Sequence, residues 1–274
     1  MRFRVATLSL QKIRLLKNKE KPEILITNDD GIHANGITIL IELLRPYARL
    51  LVVAPDQEQS AMSHAITIKT PLFLNKIKAE EGLEIYTCNG TSVDCVKLAL
   101  NELRKDNLPD YLFSGINHGT NSSISIIYSG TMAAALEGSI HGIPSIGLSV
   151  VDHAADADFS IPQAYLARIF ESINKNGFAK NLCLNINFPS IQLSDVRGIK
   201  VCRQARSRWV EEYDKRTDPY LRDYYWLTGH FHNFEPEATD TDDWALKNNY
   251  ISIVPVQFDF TAHAKINDLK IMEG

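Results

Sequence analysis

Two adjacent carboxylates, Asp29 and Asp30, close an apolar run and are followed at once by Gly31, within ILITNDDGIHANGI at 24–37. Ile24 to Thr27 read as a strand buried on both faces, and Gly31 permits a sharp turn that brings neighbouring side chains onto one rim. Like charges that close repel in a partly desolvated cleft, so either one stays protonated or a bound cation neutralises both. The cation is the preferred reading. The same run also reads as a helix N-cap, because an Asp before a helix accepts orphan backbone N–H bonds.

Polar residues after other strands extend the set. LLVVAP opens into DQEQSAMSHA at 56–65 and YLFSG into INHGTN at 116–121, offering the Ser60 hydroxyl and the Asn117 amide oxygen. With Asp29 and Asp30 they make an all-oxygen donor set for one hard divalent cation per subunit, Mg²⁺ or Mn²⁺, with positions left for water and a substrate phosphate. Zinc is disfavoured, since no His or Cys cluster accompanies the acids. Taken singly, Ser60 also reads as a turn residue and Asn117 as an Asx-turn residue. A further loop, IYSGTMAAALEG at 127–138, places Ser129, Gly130 and Thr131 before an Ala-rich helix, where N–H groups, the helix dipole and two hydroxyls can hold a phosphate. Plain helix capping uses the same residues. Thr91 or Ser92 reads as the cap of the next helix, with Asp94 in its first turn. His64, His118 and His263 are candidate proton donors or phosphate ligands that spacing alone does not select.

The elements that must position these residues alternate. Strand-like runs fall at 24–28, 50–54, 83–88, 111–114, 145–150 and 182–188, and helical patterns at 35–45, 92–104, 130–140 and 161–175. Strands alternating with helices predict an α/β fold, a mainly parallel sheet with helices on both faces, whose ligand crevice lies beyond the carboxyl ends of the strands. After residue 200 the chain becomes rich in aromatic and β-branched residues, through YYWLTG and on to FDFTAH. All of this stretch reads as antiparallel hairpin structure, with arms suited to association.

Composition sets outer bounds. The 274 residues are 45% hydrophobic and 23% charged, with a formal net charge of −4, which gives no electrostatic footprint for a nucleic-acid polymer. Cys88, Cys95, Cys183 and Cys202 show no metal-finger spacing and lie in apolar segments, implying a reducing, cytoplasmic setting. Residues 1–22 are rich in Lys and Arg without an apolar stretch long enough for a signal peptide or membrane span, and read as a flexible basic extension. One domain is expected over 23–274, with 203–274 as its hairpin-rich oligomerisation region.

Taken together, ITNDDGIHANGI, VVAPDQEQSAMSHAIT, GTSVDCV, SGINHGTN, YSGTMAAALEG, YYWLTG and FDFTAH resemble the survival protein E (SurE) family, the metal-dependent 5′/3′-nucleotidases. The resemblance covers nearly the whole chain from residue 23. It implies a Rossmann-like core, a metal at Asp29, Asp30, Ser60 and Asn117, hydrolysis of nucleoside monophosphates, and a homodimer or homotetramer built with the C-terminal arms. It also implies that Asn121, Ser129, Gly130 and Thr131 lie at the phosphate pocket, with Asp29, Asn121 and Ser129 acting in catalysis. Asp259 and His263 are implied to influence assembly or the site indirectly. One departure concerns substrate preference: the family has a Gly and an acidic residue after the second Asn, whereas this chain reads NSSISIIYSG. Short-chain polyphosphate stays open as a further substrate.

The expected chemistry is metal-assisted attack of water on a phosphomonoester, although a carboxylate nucleophile is also open. A haloacid-dehalogenase-type phosphatase needs two Asp separated by one residue, and here they are adjacent. A non-catalytic, Mg²⁺-dependent phosphate- or nucleotide-sensing module is the other reading, yet a receiver-like module needs a later Asp where this chain has Asn117.

Overall fold

A computed structural model describes residues 21–154, 156–177 and 182–273; nearly all of the basic extension expected at 1–22 therefore lies outside the described residues. The strands are β1 (Glu23–Thr27), β2 (Arg49–Pro55), β3 (Leu74–Glu80), β4 (Leu83–Cys88), β5 (Tyr111–His118), β6 (Ser145–Val150), β7 (Cys183–Phe188), β8 (Gly198–Val201), β9 (Ser207–Thr217), β10 (Asp223–Asn233) and β11 (Tyr250–Val256). The longer helices are α1 (Asn35–Leu44), α2 (Ser92–Leu98), α3 (Gly130–Ile140) and α4 (Ser160–Asn176), followed by the short α5 (Asp242–Lys247) and α6 (Ile266–Leu269).

A strand apolar along its whole length is stable only where both faces are covered. β1, buried throughout, accordingly lies in the middle of a nine-stranded sheet of order β3-β4-β2-β1-β5-β6-β7-β11-β8. Alternate side chains of β1 serve two cores. Ile24 and Ile26 pack with Ile37, Leu40 and Leu44 of α1 and Leu166 and Phe170 of α4 on one face. Leu25 packs with Cys95 and Val96 of α2 and Met132 and Ala135 of α3 on the other.

The strands from β4 through β7 in this order are parallel neighbours, as the alternating pattern predicts. The chain leaves β1 toward β2 and later returns to its opposite side at β5, so strand order reverses between β1 and β5. Such a reversal opens a crevice at the carboxyl ends of the two strands. Asp29 and Asp30 follow one of them, and Asn117 lies one residue before the end of the other.

Two expectations need correction. The helix anticipated over 92–104 is α-helical only to Leu98 and continues as a π turn over Ala99–Leu103. The stretch after 240 is not a hairpin. Thr241 caps α5 by accepting the Trp244 N–H, with Asp242 and Asp243 in the first turn, and β11 enters the main sheet antiparallel to β7 and parallel to β8. Among the described residues after 200, β9 and β10 alone form a hairpin, a two-stranded sheet of their own with Tyr213, Tyr225, Trp226 and Leu227 exposed. β3, an antiparallel edge strand, and β8 carry too little apolar pattern to have been expected. Among the described residues no helix is long and apolar enough to cross a membrane.

Candidate functional site

Gly31 sits at φ +92°, where a side chain would be strained, and the Asn28 amide donates to its carbonyl at 2.9 Å. This turn carries the chain away from the sheet directly after the acidic pair. Neither acid caps α1, whose N-cap is Ala34 without a side-chain bond. Asp29 instead packs against the start of α3. The Thr131 hydroxyl donates to Asp29 Oδ1, and a Cβ placed on Gly130 would come within 2.7 Å of Asp29 Oδ2.

β5 reaches the same point through an irregularity. Its register with β6 shifts between Ser114 and Asn117, and Gly115 there adopts φ +130° with β6 backbone 2.4 Å from where a Cβ would lie. The Asn117 amide nitrogen donates to the carbonyls of Gly119 at 2.6 Å and His118 at 3.1 Å. Its oxygen is thereby turned toward Thr131, 3.2 Å away, and to the side on which Asp29 lies.

Asp29, Asp30, Ser60, Asn117, Asn121 and Ser129 line one open cleft of about 500 Å³, a size usual for small-molecule sites. Ser60 is exposed at its edge and donates to Glu58 at 2.7 Å, and the loop that carries it is tied down by the Gln59 N–H bonding to the Asp29 carbonyl at 2.7 Å. Ser129 caps α3 by accepting the Met132 N–H at 3.0 Å, which leaves its own proton free to be donated. Thr131 is fully buried and absent from the cleft wall, so its hydroxyl supports Asp29 from behind rather than facing a ligand. Gly130 likewise provides close approach for Asp29. Asp259 and His263 pair with each other at 2.7 Å in the exposed C-terminal segment, and neither lines the cleft. Asp94 is a buried partner of Thr91 in a capping box and also accepts from the Thr67 N–H.

The electrostatics of the pair suit a cation. Burial pushes Asp29 up to about 6; the Thr131 hydroxyl opposes this and the charge of Asp30 adds to it. Burial also raises Asp30, against hydrogen bonding from His118. Among the described residues, no Lys or Arg lines the cleft to offset this negative charge. Among the described residues no group of three or more His, Cys, Asp or Glu is arranged to hold a metal. A cation here must draw on neutral oxygens as well, and Asn117 and Ser60 supply them. This donor set fits a hard divalent ion.

Sequence reasoning left His118 undecided and missed the layer beneath Asn121. The His118 N–H and ring Nδ1 lie 3.3 and 3.4 Å from Asp30 Oδ2, and its ring stands edge-on to Phe159. Asn187 Oδ1 accepts from the Asn121 N–H at 2.9 Å and from the Thr120 hydroxyl at 3.1 Å, and Asn185 donates to the Asn121 carbonyl at 2.8 Å. The Asn121 amide in turn donates to Ser149 at 2.8 Å. Two Asn at alternate positions inside the apolar strand CLNINF were the available signal, since a buried strand carries paired amides only when they have partners.

A family model described as Survival protein SurE matches residues 24–211. A protein of Flavobacterium psychrophilum named 5′-nucleotidase SurE is 53% identical over 250 residues, which cover 91% of this chain and 96% of that protein. Its namesake in Christiangramia forsetii is 51% identical over 256 residues, covering 92% and 97%. The crystal structure of the SurE protein from Aquifex aeolicus matches with a TM-score of 0.79 and 34% identity, covering 92% of this chain and all of that one.

Proposed function

The chain belongs to the SurE family, and from that premise we propose that it is a divalent-metal-dependent phosphomonoesterase that hydrolyses nucleoside 5′- and 3′-monophosphates to nucleoside and phosphate. The observation that carries this reading is the convergence of Asp29, Asp30 and Asn117 at the strand-order reversal, in a cleft that no Lys or Arg among the described residues lines. A phosphate dianion entering such a cleft needs a cation between itself and the acids.

Asp29, Asp30, Asn117 and Ser60 are the residues that would hold Mg²⁺ or Mn²⁺. When bound, the ion supplies charge neutralisation for the phosphate oxygens. Ser129, at the start of α3, holds a remaining oxygen through its hydroxyl, and Asn121, fixed by Ser149 and Asn187, lines the same cleft. Water attacks phosphorus and the ester P–O bond breaks. Asp29 accepts the water proton, and the departing nucleoside oxygen is protonated from solvent. The exposed aromatic residues of the β9–β10 hairpin support assembly into a homodimer or homotetramer through these arms.

Phosphate release from a panel of 5′- and 3′-nucleoside monophosphates and short-chain polyphosphate, with Mg²⁺, Mn²⁺ or chelator, tests the reading. Metal-dependent release that is lost in Asp29→Asn is the expected result. Saturable metal binding without release from any nucleotide would favour a sensing module instead. Solvent oxygen-18 appearing directly in phosphate under single turnover is expected for the water route, and label entering the protein first would exclude it.

A further inference from the structure

Two aromatic rings stand on the rim of the acidic cleft and have no part in the chemistry described above. Tyr128 is 50% exposed and Trp209 is 39% exposed, and both line the same opening as Asp29 and Asn117. Large rings left open at a cleft lined mostly by polar residues invite a flat ligand. Resting on the phosphomonoesterase reading, we propose that Tyr128 and Trp209 form the base-recognition edge of the site, stacking on the nucleobase while the phosphate lies at the acidic pair.

Both rings are held in place from one short segment. Trp209 lies near the base of the hairpin and packs edge-on against Phe231, with ring centres 5.8 Å apart. Its strand docks on the turn at Ser123–Ile127, where the Ile124 N–H donates to Ser207 at 3.2 Å. Tyr128 ends that turn, its N–H bonding to the Ser125 carbonyl at 3.1 Å. The buried Asp242 carboxylate fixes the turn from below, accepting from the Ser123 N–H at 2.7 Å and the Ser123 hydroxyl at 2.9 Å. The segment in which this chain departs from its family, 122–126, thus seats the strand of Trp209 and leads directly to Tyr128, which opens the family-like run YSGTMAAALEG. A π-face accepts any base, so this edge selects for the presence and size of a base more than for its hydrogen-bonding pattern.

The test compares kcat/KM for AMP and for ribose 5-phosphate, which lacks a base, in the full chain with Mn²⁺. Loss of one stacking ring is worth about tenfold in affinity. In Trp209→Ala and in Tyr128→Ala the ratio of the two values is expected to fall about tenfold, mainly through KM for AMP, and Trp209→Phe is expected to restore most of it. If Trp209→Ala does not fold, Tyr128→Ala, in an exposed turn, gives the same reading. Equal losses on both substrates, or an unchanged ratio, overturn the inference. Absence of phosphate release from both substrates by the wild type overturns the phosphomonoesterase reading, and this inference with it.

Discussion

Gly130 and Asp29 are in direct contact, so close that a methyl group on residue 130 would lie 2.7 Å from the carboxylate and 2.9 Å from its Cβ. The first turn of α3 can therefore approach β1 only with glycine at this position. Gly130→Ala is expected to displace Asp29, costing about 1–3 kcal/mol of stability through overpacking. Thermal denaturation together with Mn²⁺ titration checks this, and a variant with wild-type Mn²⁺ affinity would show that Asp29 tolerates the shift.

The Thr131 hydroxyl is buried and bonds to Asp29 from the side away from the cleft. Groups that orient a metal ligand in this way are worth about 10–100-fold in metal affinity. Thr131→Val, which keeps the shape and removes the donor, should weaken Mn²⁺ binding by that range while the fold persists. Isothermal titration calorimetry is the measurement, and unchanged affinity would reduce Thr131 to packing.

Glu137 of α3 has a nearly buried side chain in contact with Lys97 at 2.6 Å, His64 at 3.0 Å and His141 at 3.3 Å. Burial alone would raise it, but the bonds from His64 and Lys97 outweigh that and hold it at about 2, below the ordinary 4.5. A carboxyl depressed on folding stabilises fully above its unfolded value and loses that contribution as pH falls through the folded one. The Tm advantage of wild type over Glu137→Gln should therefore be largest near neutrality and shrink from about pH 4.5 down toward 2. Tm recorded against pH for both proteins decides it; an advantage that grows on acidification would refute the assignment.

Asn187 supplies one oxygen to both the Asn121 N–H and the Thr120 hydroxyl. Asn187→Ala leaves the buried Asn121 N–H unpartnered, at about 1–3 kcal/mol, while the half-buried Thr120 hydroxyl keeps Ser122 at 2.9 Å, and it releases the wall that carries Asn121. A lower Tm accompanied by a fall in kcat of about tenfold or more is expected if wall geometry matters to turnover. A fall in Tm with kcat intact would mean that the network serves stability only.

The parallel core was legible because β1, β2, β5 and β6 carry apolar runs separated by helical spacing, and that pattern survives without tertiary context. The acidic pair was legible too, since two adjacent Asp after a buried strand have few local uses. Thr131 was harder to read. A Ser-Gly-Thr start to a helix looks the same whether its hydroxyls face an anion or a neighbouring carboxylate, and only the packing of α3 on β1 separates the two. The stretch around 241–256 misled for a different reason. Its aromatic and β-branched residues match a hairpin locally, while the insertion of β11 between β7 and β8 depends on which edge is free, a property of the assembled sheet. Thr241 followed by two Asp was a helix-start signal outweighed by the brevity of α5.

Asp242 grips Ser123 at a sequence separation of 119. On the ribosome, a chain long enough to have delivered Asp29, Asn117 and Ser129 already has the floor of its cleft but lacks the clamp beneath the turn that bears Tyr128. Translation must continue as far as Asp242 before that turn is secured. Products that stop short of Asp242 thus have the acidic pair present and the rim unsupported.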